Sequence, residues 1–187
     1  MECPDMSLHY EKKYDRQIRI FGFTTQEKLQ NMCVTLYTST FNYISAEIIK
    51  NLVLLGVTNL KINKRAEESV LRMIPGGLQA INDKLRLVVF DDIVDVIDYS
   101  KTEDNVADEH AESLDIIIAV DYFVQNERRN SFYVCSKCYM FSDNCDHNCV
   151  ETEHSIENEC LLGAILVQEI VKMVSNESCQ KMYRLDV

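Results

Sequence analysis

Short apolar segments alternate with amphipathic stretches along this chain, and that alternation constrains its fold more than any other feature. Val34–Thr38 and Asn59–Ile62 have the length and residue types of β-strands. Between them, Ile44–Leu55 carries apolar residues at helical spacing, and Gly56 follows where a helix C-cap belongs. A strand, a three-turn helix and a second strand within roughly 30 residues predict a βαβ unit with parallel strands.

Two further apolar runs, Leu85–Phe90 and Leu114–Val120, are continuous rather than alternating. Continuous runs are typical of strands that are buried on both faces of a parallel sheet. We therefore expect an α/β, Rossmann-like, doubly wound and mainly parallel sheet. The pattern also predicts helices over Gln125–Cys138 and Ile156–Val174, and short strands over Tyr139–Ser142 and Lys181–Asp186.

The N-terminal part of the chain has a helical pattern from about residue 7 to residue 32. Gly22 interrupts it, and Thr24 with Glu27 three residues later predicts a capping box that opens a second helix. We interpret residues 1–187 as a single domain, with residues 7–32 as an N-terminal helical extension.

Charge and composition exclude several classes of function. The 187 residues carry 19 Lys and Arg against 30 Asp and Glu, a net charge of −11, which repels nucleic acid and anionic membranes. Ten of the acidic residues lie between Asp91 and Asp115, a segment interpreted as a solvated face and, second, as a docking surface for a basic partner. Eight cysteines without a signal peptide or a membrane-spanning run indicate reduced thiols in an intracellular protein.

The turn after the first strand is the usual phosphate site of such folds, and here it lacks glycine. It reads Tyr37-Thr38-Ser39-Thr40-Phe41-Asn42-Tyr43, so bulky side chains stand where a backbone would have to approach a pyrophosphate. The acidic residue that would hold a ribose at the end of the second strand is also missing, because that stretch reads Lys61-Ile62-Asn63-Lys64. We expect this chain alone to bind no nucleotide.

Three segments resemble one known family. Tyr14-Asp15-Arg16-Gln17-Ile18-Arg19-Ile20-Phe21-Gly22 is similar to the YDRQIRLWG signature of ubiquitin-like-protein activating enzymes, which have the ThiF/MoeB-like fold. Residues 45–57 resemble that family's GAEIAKNLILAGV, and residues 163–172 its GGxLAQEIVKA. The matches occur in the family's order and bracket residues 14–172.

The resemblance implies a subunit without its own adenylation site. The chain is most similar to the smaller, non-adenylating subunit of the SUMO-activating heterodimer, although strongly shortened. The expected partners are then the catalytic subunit, which holds ATP and Mg²⁺, and a ubiquitin-like protein of the SUMO type, in the nucleus or cytoplasm. The alternatives are the equivalent subunit for NEDD8 or ubiquitin, and a non-enzymatic α/β scaffold stabilised by zinc.

By the same resemblance, Arg16 reaches across the dimer interface to the ATP phosphates of the partner, where a guanidinium neutralises developing charge. The residues alone favour Arg16 and Arg19 as surface cations of an amphipathic helix, and it is the resemblance that favours the role in trans. The residues expected at the partner interface are Tyr14, Asp15, Gln17, Ile18, Arg19 and Phe21.

The remaining polar candidates have structural interpretations beside functional ones. Asp121 follows an apolar strand, where active family members bind metal and nucleotide, but it is equally a cap for a helix that begins near Phe123. A second pattern, Cys135-x-x-Cys138 followed by Cys145 and Cys149, suggests either a zinc site or unrelated buried thiols. No cysteine has a neighbouring His that would activate it for thioester formation.

Overall fold

The predicted βαβ unit is present in the computed structural model, which describes residues 6–91, 114–122, 130–144 and 149–186. The helices are α1 Met6–Phe21, α2 Phe23–Asn31, α3 Tyr43–Leu54, α4 Lys64–Met73 and α5 Ile156–Val174, with a 3₁₀ turn at Leu78–Ala80. The strands are β1 Cys33–Thr38, β2 Asn59–Asn63, β3 Arg86–Phe90, β4 Asp115–Val120, β5 Ser131–Cys135, β6 Met140–Ser142 and β7 Met182–Arg184.

Within the described residues the seven strands form one sheet in the order β3-β2-β1-β4-β5-β6-β7. The pairings of the first five strands are parallel, and β6 and β7 are added antiparallel at one edge. The Rossmann-like, mainly parallel α/β fold expected from the apolar runs is therefore confirmed, with its N-terminal helical extension. The acidic segment between Asp91 and Asp115 lies almost wholly outside the described residues.

Two local predictions are wrong. The segment Gln125–Cys138 was expected to be helical, but Ser131–Cys135 is strand β5, since its aromatic and β-branched side chains pack into the sheet. The capping box at Thr24 and Glu27 does not form either. Helix α2 begins one residue earlier, after Gly22, whose φ of 84° turns the chain sharply, and no side chain caps that end.

Helix α3 ends in a Schellman motif that anchors the N-terminal helices. Gly56 has a φ of 100°, and the N–H groups of Gly56 and Val57 donate to the carbonyls of Val53 and Leu52. The ring of Tyr14 packs so closely on this turn that a Cβ at Gly56 would lie 3.0 Å from it. This contact fixes α1 against the carboxyl end of α3.

Helices α3 and α5 pack at unusually short distance through Gly163. A Cβ at this position would lie 2.9 Å from the carbonyl oxygen of Ile44 and 3.1 Å from the Cβ of Glu47. The first of these neighbours is backbone and cannot rotate away. The interface between the two helices therefore requires glycine at this position.

We predict that Gly163→Ala destabilises the chain by about 1–2 kcal/mol, because overpacking of about 1–3 kcal/mol outweighs the helix propensity of up to about 1 kcal/mol that alanine gains. Urea unfolding of both proteins measures the difference. Gly76→Ala is the matched control, since its nearest neighbour is the Cβ of Ala80 at 3.9 Å, and we expect a change within about 0.5 kcal/mol. A more stable Gly163→Ala variant would contradict the close packing.

Candidate functional site

The candidate site lies where the carboxyl ends of β1 and β4 meet. Strand β1 has β2 on one side and β4 on the other, which makes this the point where the strand order reverses and where such sheets bind ligands. The loop Ser39–Asn42 leaves β1 here, and Asp121 follows β4. The N–H of Ser39 donates to the carbonyl of Val120 at 3.2 Å, so the two strand ends are joined directly.

The loop after β1 satisfies its own polar groups. The hydroxyl of Thr38 donates to the carbonyl of Thr40 at 2.8 Å. The Asn42 amide donates to the Thr38 hydroxyl at 2.7 Å and to the Thr40 carbonyl at 3.0 Å. The Asn42 Oδ1 accepts from the N–H of Ser45 at 2.7 Å and so caps helix α3. The Thr38 hydroxyl, which could have faced an anion, is thus committed inside the loop.

A carboxylate of the chain itself lies at the N-terminus of α3. The N–H of Tyr43 donates to Oε2 of Glu159 at 2.6 Å, and Oε1 of Glu159 lies 2.9 Å from Nε2 of His154. The Glu159 side chain is only 3% exposed, while His154 lies largely in solvent. Helix N-termini favour anions through their free N–H groups and their dipole. Glu159 therefore takes a position that a phosphate takes in nucleotide-binding members of this fold class.

Asn63 ends β2 where a ribose-binding acid was missing from the sequence. Its amide donates to the carbonyl of Thr38 at 2.9 Å, and its Oδ1 accepts from the N–H groups of Thr38 at 3.2 Å and Ala66 at 3.3 Å. One neutral side chain thus joins the ends of β1 and β2 and caps α4. Its hydrogen-bonding groups are used within the chain.

Asp121 is held by the turn that follows β5. Its two carboxylate oxygens accept from the backbone N–H and the hydroxyl of Ser136, at 2.7 Å and 2.6 Å, and the Thr40 hydroxyl lies at 3.5 Å. With a φ of 53° the residue has the left-handed conformation. The predicted helix start near Phe123 lies outside the described residues.

Aromatic and basic side chains cover the loop. The guanidinium of Arg72 lies 4.0 Å from the centre of the Phe41 ring, a cation–π contact, and Tyr43 meets the same ring edge-on at 5.4 Å. Arg65 donates to the carbonyl of Ser39. The bulky aromatic side chains that the sequence analysis noted in this loop therefore pack together over the loop.

Arg16 lies far from this loop. Helix α1 is attached to the carboxyl end of α3, where Gln17 donates to the carbonyl of Leu54 at 3.2 Å, whereas the loop is at the amino end. The 12 residues of α3 separate the two ends by about 18 Å. Arg16 is exposed and forms no hydrogen bond or ion pair with any other residue in the described part of the chain. Its neighbour Arg19 pairs with Asp15 at 3.1 Å.

The expected interface residues divide into two groups. Tyr14 is only 4% exposed and packs inside this chain. Gln17 is partly buried because its amide ties α1 to α3. Asp15, Ile18, Arg19 and Phe21 remain at least partly accessible.

An apolar groove of about 500 Å³ runs beside α1. Ile20, Phe21 and Leu54 line one side, and Val167 and Val171 of α5 are among the residues on the other. Ile20 is 80% exposed. A large aliphatic side chain in that position, next to an open groove, is typical of a surface that another molecule covers.

Three of the four cysteines predicted as a zinc site are brought together. The thiols of Cys135, Cys138 and Cys149 all lie within 4.8 Å of one another. Cys145 lies outside the described residues, as does His147 between it and Cys149.

Comparison with known proteins identifies the fold. No family model matches the chain, and no curated protein matches its sequence. Among solved structures, PaaA superposes with a TM-score of 0.65 at 12% identity, over 100% of this chain and 73% of PaaA. MccB of E. coli superposes with a TM-score of 0.60 at 13% identity, over 90% of this chain and 64% of MccB.

A third match is the E. coli tRNA N6-threonylcarbamoyladenosine dehydratase TcdA. Its TM-score is 0.60 at 9% identity, over 92% of this chain and 98% of TcdA. The chain has the ThiF-like fold. MccB has also been solved with ATP and with MccA. Those complexes are a property of MccB, and the similarity shows only that this chain shares its fold. None of the described helices combines the length and the apolar character needed to cross a membrane.

Sequence reasoning missed Glu159, His154 and Ser136 as members of this site. Asn42 had a local signal, since Asn directly before a helical pattern indicates an N-cap. Glu159 had none, because it is 116 residues away from the N–H that it contacts. The ThiF-like fold alone brings these residues together.

We predict that Glu159→Gln lowers the free energy of unfolding by about 1–2 kcal/mol, because it removes a buried charge-assisted hydrogen bond and a negative charge at a helix N-terminus. Urea unfolding is the measurement. Glu157→Gln is the control, since Glu157 is exposed and accepts from the hydroxyl of Ser155, and we expect a clearly smaller loss. If both variants lose the same free energy of unfolding, the contact between Glu159 and helix α3 does not stabilise the chain more than an exposed contact does.

Proposed function

We propose that this chain is the non-adenylating subunit of a heterodimeric activating enzyme for a ubiquitin-like protein, of the SUMO type. It docks onto a catalytic subunit that holds ATP and Mg²⁺, and it supplies Arg16 to that subunit's nucleotide site. One observation carries the proposal: the carboxylate of Glu159 lies on the N–H of Tyr43, at the helix end that would otherwise receive a phosphate.

A nucleotide that entered the loop of this chain would meet an anion already in place. Two unit charges 4 Å apart repel by about 4 kcal/mol at an effective dielectric constant of 20, and a triphosphate carries several. Displacing the carboxylate instead would break its bonds to Tyr43 and His154. Both routes disfavour ATP here, so the chemistry is assigned to a second subunit.

Arg16 has the properties that a residue acting in trans requires. It is exposed, it has no partner among the described residues, and α3 separates it from the loop of its own chain. Adenylation of a carboxylate expels pyrophosphate, and a fixed guanidinium stabilises the charge that develops on the phosphate oxygens. Placing that group on a second chain makes activity depend on assembly.

The apolar groove beside α1 supports docking on the same face. Ile20 and Phe23 are exposed by 80% and 53%, close in sequence to Arg16. An apolar centre with cations beside it is the usual composition of a specific protein interface. A partner seated on this groove would bury Ile20 and hold Arg16 at the edge of the contact.

The choice of modifier rests on sequence resemblance. The YDRQIR-like segment and the segments 45–57 and 163–172 resemble the activating-enzyme family as a whole, and the chain that carries them most resembles the SUMO-type subunit. The same geometry would serve NEDD8 or ubiquitin. The assay below is therefore run with each modifier in turn.

The test is ATP–pyrophosphate exchange by this chain, by its organism's catalytic subunit, and by their mixture. We expect exchange only in the mixture. Arg16→Ala should slow exchange by about 10²–10³-fold, the size typical of removing one group that stabilises an oxyanion, while the affinity between the subunits stays within a few-fold. Lys28→Ala, an exposed cation on the neighbouring helix α2, is the control and should leave the rate unchanged.

Two outcomes would overturn the proposal. Exchange by this chain alone would mean that its loop binds ATP. No exchange in any mixture would remove the activating-enzyme role and favour a non-enzymatic scaffold. Equal rates for Arg16→Ala and the parent would remove the role of Arg16 alone.

Docking on the groove predicts that Ile20 contributes to the affinity between the subunits. Ile20→Ser should weaken the affinity for the catalytic subunit by roughly 10-fold or more, since burying an aliphatic side chain contributes about 1.5–3 kcal/mol. Sedimentation or calorimetric titration measures it. Leu71→Ser, at a 46% exposed aliphatic residue on α4, should leave the affinity unchanged. If both variants bind equally well, the partner docks elsewhere.

A further inference from the structure

Three thiols from two separate segments meet where strand β5 ends. Cys135 ends β5, Cys138 lies in the turn that leads to β6, and Cys149 belongs to a segment that returns over this turn. Cys138 is buried, Cys135 is half-buried and Cys149 is exposed. From this arrangement we propose that Cys135, Cys138 and Cys149 bind one zinc ion through three thiolates.

The distances suit a metal better than a disulfide. With Zn–S bonds of about 2.3 Å in a tetrahedron, two ligand sulfurs are about 3.8 Å apart. The sulfurs of Cys135 and Cys149 are 3.6 Å apart, and all three sulfurs lie within 4.8 Å of one another. A disulfide would join only two of the three thiols at about 2.05 Å and would leave the third beside it without a function.

The ligands are positioned by bonds that do not involve sulfur. Thr152 donates to the carbonyl of Lys137 through both its N–H, at 2.8 Å, and its hydroxyl, at 3.0 Å. The ammonium of Lys137 lies 2.6 Å from Glu151, and the hydroxyl of Tyr139 donates to the carbonyl of Glu153 at 3.1 Å. The returning segment is therefore fastened to the turn on which Cys138 lies. Hydrogen bonds around a metal site hold its ligands in position in the same way.

A cation between the three sulfurs would complete the cluster. Three thiolate sulfurs within 4.8 Å of one another repel each other unless a positive charge lies between them. A soft divalent cation displaces the protons and offsets the thiolate charges, and thiolates select zinc over hard cations such as Mg²⁺. The fourth coordination position is open among the described residues.

The test uses the full chain, purified under reducing conditions without chelator. We expect about one zinc per chain by mass spectrometry of the metal. After zinc is removed, Co²⁺ titration should give tetrahedral d–d bands and thiolate charge-transfer absorption with the intensity of three or more thiolates. Cys149→Ser, which changes an exposed residue and so preserves the fold, should weaken zinc affinity by about 100-fold or more.

The matched control is Cys179→Ser, because Cys179 is a free cysteine outside the cluster. It should bind zinc as the parent does. The proposal is overturned if the stripped, reduced chain takes up no zinc, if Cys149→Ser binds zinc as tightly as the parent, or if the cobalt spectrum shows fewer than three thiolates. A disulfide between Cys135 and Cys149 in the reduced preparation would also overturn it. None of these outcomes depends on the proposed subunit role.

Discussion

The contact between Glu159 and the N-terminus of α3 determines how the rest of this site is arranged. It exists because α5 crosses α3 at very short distance: Gly163, one helical turn after Glu159, allows the backbone of Ile44 to approach to where a Cβ would clash. The close packing brings the carboxylate to the N–H of Tyr43, and Asn42 accepts from the N–H of Ser45 at the same helix end. Two N–H groups of the kind that bind a phosphate in other α/β folds are thereby satisfied within the chain.

Helix α3 also separates the loop after β1 from the N-terminal helices. Its amino end carries the filled loop, and its carboxyl end carries α1 and α2, which are fastened there by the Tyr14–Gly56 packing and by the bonds from Gln17 and Gln26 to the carbonyls of Leu54 and Leu55. Two residues of the YDRQIR-like segment, Tyr14 and Gln17, thus act structurally within this chain. Arg16, which lies between them, has no hydrogen bond or ion pair with any of the described residues. We interpret the segment as an anchor that presents one arginine.

The sequence predicted the parts of the fold that depend on local periodicity. The helix expected over Ile156–Val174 coincides with α5 at both ends, because Ser155 caps it and its apolar stripe is long. Strands β1 and β2 were expected from their length and residue types, and β3 and β4 from continuous apolar runs. Strand β5 was missed because its five residues sit in a polar context and are defined by pairing with β4 rather than by their own pattern. For the loop after β1, the sequence predicted only the absence of the glycines and of the ribose-binding acid. The contacts that fill it, Glu159 with Tyr43 and Ser136 with Asp121, are 116 and 15 residues apart and have no local signature.

The central claim is that the loop after β1 is filled by the chain itself and does not take a nucleotide. The most direct measurement is a titration of the isolated chain with Mg-ATP, followed by backbone amide NMR of residues 39–45. The account predicts no saturable shift of these amides at millimolar ATP, and an amide of Tyr43 that keeps the signature of a strong hydrogen bond throughout. Saturable shifts confined to this loop would contradict the account, because they would mean that ATP displaces Glu159 and that the chain retains a working nucleotide site.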